Sequence, residues 1–125
     1  MSDEETLLDA REPQNGIQVV GLLGELDYSN LETVRQQVYQ LINGVTALII
    51  DLRSLEFIDS NGLGLLLAAH KRMREKGGRV ALVSTSTHIE KLLRISGLET
   101  IIPVFKDEPS ALDAMAKEVN PATPA

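Results

Sequence analysis

Cysteine and tryptophan are absent from this 125-residue chain, and histidine occurs only twice, as His70 and His88. Without cysteine there is no disulfide scaffold, no thiolate zinc site and no thiol nucleophile. Two histidines leave no basis for a His-rich metal centre, and nothing in the sequence calls for a cofactor. Positive charge is in deficit: 12 Lys and Arg stand against 18 Asp and Glu, a net charge of −6. That argues against a nucleic-acid partner, because phosphate contacts need clustered cations. Long hydrophobic runs are missing too. The longest, residues 63–69, is interrupted by Gly64 and falls far short of the ~20 residues that span a bilayer. The acidic opening Met1-Ser2-Asp3-Glu4-Glu5 is unlike a secretory signal, so a cytoplasmic protein without a membrane partner is expected.

What is present is an ordinary globular composition, with 43% hydrophobic and 24% charged residues. The length fits one domain, placed at residues 1–118, followed by a flexible Pro/Ala-rich tail at 119–125. Between the ends, strand-like and helix-like stretches alternate. Residues 16–23 are β-branched and apolar up to Gly24, and residues 45–51 are nearly all apolar before Asp51, the pattern of a strand covered on both faces. Leu31, Val34, Val38, Leu41 and Ile42 recur at helical spacing and predict a helix over 29–43, ended by Asn43-Gly44. Asp59, Ser60, Asn61 and Gly62 are helix-start residues ahead of Leu63, Leu66, Leu67 and Met73, with Gly77-Gly78 as the stop. Residues 79–83 read as the next strand. Ser86 or Thr87 caps a short helix carrying Ile89, Leu92 and Leu93, which Gly97 and Leu98 terminate. Residues 101–104 read as an edge strand interrupted by Pro103. Asp107, Glu108 and Pro109 open a last helix with Leu112, Met115, Ala116 and Val119 on one face. Residues 5–11 could form a hairpin strand ahead of the turn at Pro13-Gln14-Asn15-Gly16. The alternation predicts an α/β fold: a mostly parallel sheet of four to five strands, an N-terminal antiparallel edge and about four helices.

In such sheets function sits in the loops at the carboxyl ends of the strands. Two stretches there stand out, residues 24–27 (Gly24-Glu25-Leu26-Asp27) and residues 57–64. Ser60 falls at the cap or first position of a helix, where unpaired N–H groups and the macrodipole favour an anion such as a phosphate. Gly62 and Gly64 are expected to leave the neighbouring surface open to a partner. On local pattern alone, Asp59 and Ser60 are equally a plain helix cap.

The run Leu48-Ile49-Ile50-Asp51-Leu52-Arg53-Ser54-Leu55-Glu56-Phe57-Ile58-Asp59-Ser60-Asn61-Gly62-Leu63-Gly64 resembles the signature of the STAS domain, most closely that of bacterial anti-sigma factor antagonists. Gly24-Glu25-Leu26-Asp27 and Ile95-Ser96-Gly97-Leu98 match two further family elements in the same order, so the resemblance covers about residues 5–118. It implies a STAS fold and a partner-switching protein rather than an enzyme, with no catalytic or metal-binding residues of its own. The unphosphorylated form would bind an anti-sigma factor that is also a serine kinase and so free a sigma factor. Phosphorylation would break the complex, and a serine phosphatase would restore it. Carried over residue by residue, the phosphoacceptor is Ser60, with Glu25, Asp27, Asp59, Asn61, Gly62, Leu63 and Gly64 forming the phosphosite and partner-binding loop. Asn61 stands where many members have Ser or Ala, which leaves Ser60 the only hydroxyl there.

Three alternatives are weighed. A receiver-like domain could use Asp51 as acceptor, with Ser84 or Thr85 and Lys106 as its partners, but Glu25 and Asp27 are not the adjacent acidic pair that a receiver needs. A hydrolase would need Ser60 and His70 together. They lie ten residues apart on one helix, ~15 Å, and no Gly-x-Ser-x-Gly elbow is present. The third keeps the fold and makes it the interaction module of a stress-signalling or lipid-transport assembly.

Overall fold

The computed structural model describes residues 8–118. Its main sheet contains β1 (Leu8–Ala10), β2 (Ile17–Leu22), β4 (Ala47–Asp51), β6 (Arg79–Val83) and β7 (Val104–Phe105), in the spatial order β1-β2-β4-β6-β7. β1 pairs antiparallel with β2, and every other pairing in this sheet is parallel. The α/β sheet with an antiparallel N-terminal edge is therefore as expected; residues 5–7 of the suggested hairpin lie outside the described residues, as do Val119 and the 119–125 tail.

The strands are apolar on both sides because both sides are covered. Along β2, β4 and β6 the side chains alternate: Val20, Leu48, Ile50, Val80 and Leu82 enter one core layer, while Ile17, Val19, Ile49, Ala81 and Val83 enter the other. The first layer is closed by α1 (Leu31–Leu41), α2 (Ser60–Glu75) and α3 (Thr87–Ile95) through Val34, Val38, Leu66, Met73, Ile89 and Leu93. The second is closed by α4 (Glu108–Glu118) through Ala111 and Met115. Among the described residues no helix is long and apolar enough to cross a membrane.

Several boundaries differ from the sequence reading. The segments expected as loops at 24–27 and 57–58 contain strands, β3 (Gly24–Leu26) and β5 (Leu55–Ile58), which pair parallel to each other in a small second sheet. Two three- or four-residue strands carry too little alternation to be seen singly; their pairing over some 30 residues defines them. The edge strand is Val104–Phe105, not 101–104. After Gly97, which adopts a left-handed φ of 83°, a 3-10 turn over Leu98–Thr100 lets the Ile102 N–H donate to the Leu98 carbonyl, so Ile101 and Ile102 are wound rather than extended. α1 is shorter than 29–43, since the Asn30 side chain donates to the Glu25 carbonyl instead of capping the helix. In α2, Leu65, Leu66, Ala69 and Met73 form the buried face and Leu63 and Leu67 flank it. In α4 the buried positions are Ala111 and Met115, with Leu112 half-buried and Ala116 exposed.

Candidate functional site

The β3–β5 ribbon and the start of α2 build the site. Asp59 is extended (φ −103°, ψ −174°) and is the N-cap: its carboxylate accepts from the Gly62 N–H at 3.0 Å. The other carboxylate oxygen accepts from the Tyr28 N–H at 3.2 Å and from the Asn61 amide at 3.5 Å. The Asp59 N–H donates back to the Leu26 carbonyl at 3.2 Å. One aspartate thus ties the helix start to the chain after β3. These donors, the Gly62 N–H foremost, hold the Asp59 carboxyl below its ordinary pKa.

Ser60 is the first helical residue and not the cap. It is exposed, and its hydroxyl makes no hydrogen bond among the described residues. Asn61 is exposed beside it, Leu63 is half-buried, and Gly64 is exposed with open space where a Cβ would stand. Gly62 is different. It is buried, and a Cβ there would lie 2.6 Å from Ile58 Cγ1 and 2.9 Å from the Leu26 carbonyl oxygen. The expectation that Gly62 opens the surface is therefore corrected. Its missing side chain lets α2 pack down onto β3 and β5, and Gly64 supplies the open surface.

Glu25 and Asp27 lie on the adjoining ribbon and loop. Glu25 is exposed and in register with Phe57 across the β3–β5 pair. The Asp27 carboxylate accepts from the Ser29 N–H at 2.9 Å and the Ser29 hydroxyl at 2.6 Å, so it orders the turn into α1 rather than bonding Ser60. Residues to which the sequence reading gave no site role also belong here. Tyr28 projects into solvent at 80% exposure, and Phe57 at 43%. Leu31 and Arg35 of α1 face Ser60, Asn61 and Gly64 of α2 across an open groove of about 260 Å³. A polar loop holding one of only two tyrosines was a readable signal for Tyr28. Nothing in the local sequence marked Arg35, whose place depends on how α1 lies against α2.

Of the residues of the alternative readings, Thr85 is exposed, while Asp51, Lys106 and Ser84 are engaged elsewhere. Asp51 is buried and accepts from Arg53 at 2.7 and 3.0 Å; Lys106 pairs with Glu90 at 2.8 Å; Ser84 is buried. His70 sits almost three turns beyond Ser60 on the same helix, its pKa lowered by burial and by Arg74. Among the described residues no three His, Asp or Glu side chains converge to hold a metal ion.

Comparison with known proteins gives a consistent picture. The family model for the STAS domain matches residues 10–111. An anti-sigma F factor antagonist of Paenibacillus polymyxa is 35% identical over 103 residues, covering 81% of this chain and 88% of the relative. An anti-sigma-B factor antagonist of Bacillus subtilis is 30% identical over 97 residues, covering 78% and 88%. The solved structure of the Bacillus cell fate determinant SpoIIAA in its phosphorylated form superimposes with a TM-score of 0.68 at 28% identity, covering 86% of this chain and 97% of that one.

Proposed function

Because this chain belongs to the STAS domain family, we propose that it is an anti-sigma factor antagonist whose partner binding is switched at Ser60. The observation that carries the proposal is an exposed serine hydroxyl with no hydrogen-bond partner among the described residues, at the first turn of a helix whose cap and underside are engaged. The names of the relatives, and the phosphorylated state of one structural neighbour, support the same reading.

In this reading the unmodified protein docks an anti-sigma factor over the exposed turn at Ser60, Asn61 and Gly64, with Glu25 and Asp27 at its border, and so frees the sigma factor. A serine kinase, the anti-sigma factor itself, transfers the γ-phosphoryl group of ATP to Ser60 Oγ. The hydroxyl proton is lost and ADP leaves. A serine phosphatase hydrolyses the ester and releases phosphate. The modification adds about −1.5 to −2 charge to a surface already bearing Glu25, Asp27 and Asp59. Taking a dianion into an interface that offers it no cation of the partner costs several kcal/mol. A loss of ~3–4 kcal/mol corresponds to two to three powers of ten in affinity. No change of fold is needed.

The test is a titration of the cognate anti-sigma factor with wild-type protein, Ser60→Ala and Ser60→Glu, with mass mapping after incubation with ATP. Ser60→Ala should bind like wild type and accept no phosphate, and Ser60→Glu should bind at least tenfold more weakly. Equal affinity across the three proteins, or phosphate mapped to another residue, would overturn the switch.

A further inference from the structure

We infer that Arg35 takes up the phosphate once Ser60 carries one, so that modification closes the α1–α2 groove from within. This deepens the reading of Ser60 as a phosphoacceptor and rests on it. Ser60, Asn61 and Gly64 form one wall of the groove, and Leu31 and Arg35 form the other. Arg35 is the only cationic side chain in that lining. Acidic groups stand on the segments around it, Glu25 on β3, Asp27 before α1, Glu32 on α1 and Asp59 at the α2 cap, while the α2 cations Lys71, Arg72 and Arg74 lie about three turns or more beyond Ser60.

In the unmodified protein the Arg35 guanidinium is paired with Glu32, one turn back on the same helix. Glu32 is exposed and Arg35 half-buried, at 65% and 38% of their side-chain surfaces, and an i,i+3 pair at a helix surface contributes little. A change of partner is therefore cheap. Phosphoserine offers three acceptor oxygens and a larger charge, and a guanidinium engages phosphate through two parallel N–H donors. Gly64 on the opposite wall leaves the space free, since a Cβ there would meet nothing within 4 Å. The modified surface then differs in shape as well as charge. Arg35 crosses the groove, the groove is filled, and Glu32 loses its counter-ion. A partner seated there meets a closed groove in addition to a dianion.

The experiment uses full-length protein with phosphoserine installed at position 60 by genetic code expansion, in wild type, Arg35→Gln, Arg35→Lys and Arg72→Gln. Arg72 stacks on the Tyr39 ring at 4.2 Å, and it lies twelve residues from Ser60, about 18 Å along α2. Its variant removes the same charge away from the groove. The readout is the second pKa of the phosphate by 31P NMR titration, which a purely structural role of Arg35 would not move. Arg35→Gln should raise that pKa by about half a unit or more relative to wild type, and 1 M salt should shrink the difference. Arg72→Gln should titrate with wild type, and Arg35→Lys should fall between wild type and Arg35→Gln. A phosphate that titrates identically in wild type and Arg35→Gln overturns the inference. Because phosphoserine is installed directly, a kinase that ignores Ser60 defeats the switch proposal without touching this measurement. A flat titration defeats the Arg35 contact while leaving Ser60 as the acceptor.

Discussion

Two aspartates stand at the carboxyl ends of parallel strands, and their surroundings are opposite. Asp51 ends β4, is 6% exposed, and is matched by cations. Arg53 bonds it through backbone and guanidinium, Glu108 of α4 lies against the same guanidinium at 3.5 Å, and Arg11 bonds Glu108 at 2.5 Å. Asp59 follows β5 and meets no cation among the described residues; its partners are neutral N–H groups. At the first site the charge is balanced, and the interactions clip α4 onto the sheet. At the second the carboxylate orders a turn and leaves beside it an uncompensated serine on an acidic surface. The difference teaches that a carboxylate at a strand end can close a charge network or free a neighbouring side chain, according to what pairs with it.

The contrast can be broken most forcefully from beneath the serine turn. Gly62→Val should cost about 3 kcal/mol, because the added methyl groups meet the Leu26 carbonyl and Ile58, and a backbone carbonyl cannot step aside as a side chain tip can. Urea unfolding checks this, and an unchanged midpoint would mean that the turn is not seated as described.

The next effect belongs to Asp51. Burial raises its carboxyl, but the hydrogen bonds and charge of Arg53 outweigh that and hold the group at about 2. A carboxyl lowered on folding contributes stability that is present above its unfolded pKa and lost as pH falls through the folded one. The wild-type protein should therefore lose up to about 2 kcal/mol from this group between pH 4 and pH 2. Asp51→Asn should be less stable by about 1–2 kcal/mol at pH 7 and should show a flatter acid limb in that window. It should bind the anti-sigma factor as wild type does. Unfolding curves at pH 7 and pH 3 test the first statement, and a binding titration tests the second.

The smallest stability effect should come from Asp59→Ala. Loss of the cap leaves the Gly62 and Tyr28 N–H groups without their acceptor, and ~1 kcal/mol is expected by urea unfolding. Unlike Asp51→Asn, this variant should also disturb the Ser60 turn and slow its phosphorylation. If both aspartate variants changed binding alike, the division between a structural and a functional strand end would fail.

Much of this was legible in the chain. The strand 79–83, the Ser86 cap, the Gly97 stop and the helix start at Asp59 and Ser60 each depend on residues within a few positions of one another. The boundaries of α1 and of the last strand were misjudged for a related reason. Asn30 is bonded to Glu25, and Ile102 is wound by a turn that Gly97 sets, so partners outside the periodic run decided where each element ended.

The sequence by itself determined the alternation of the helices with the strands of the main sheet, the caps at Asp59 and Ser86 and the presence of a serine at a helix start, because backbone dihedrals and side-chain periodicity are local properties. Only the tertiary structure decided that Gly62 is a packing contact, that Glu25 and Phe57 are cross-strand neighbours, that Arg35 faces Ser60, and that Arg11 reaches Glu108 ninety-seven residues away. Each of those contacts joins side chains that no common helix or strand brings together. They arise where separate elements are pressed onto one core, and the space left between those elements does not exist until the chain has folded.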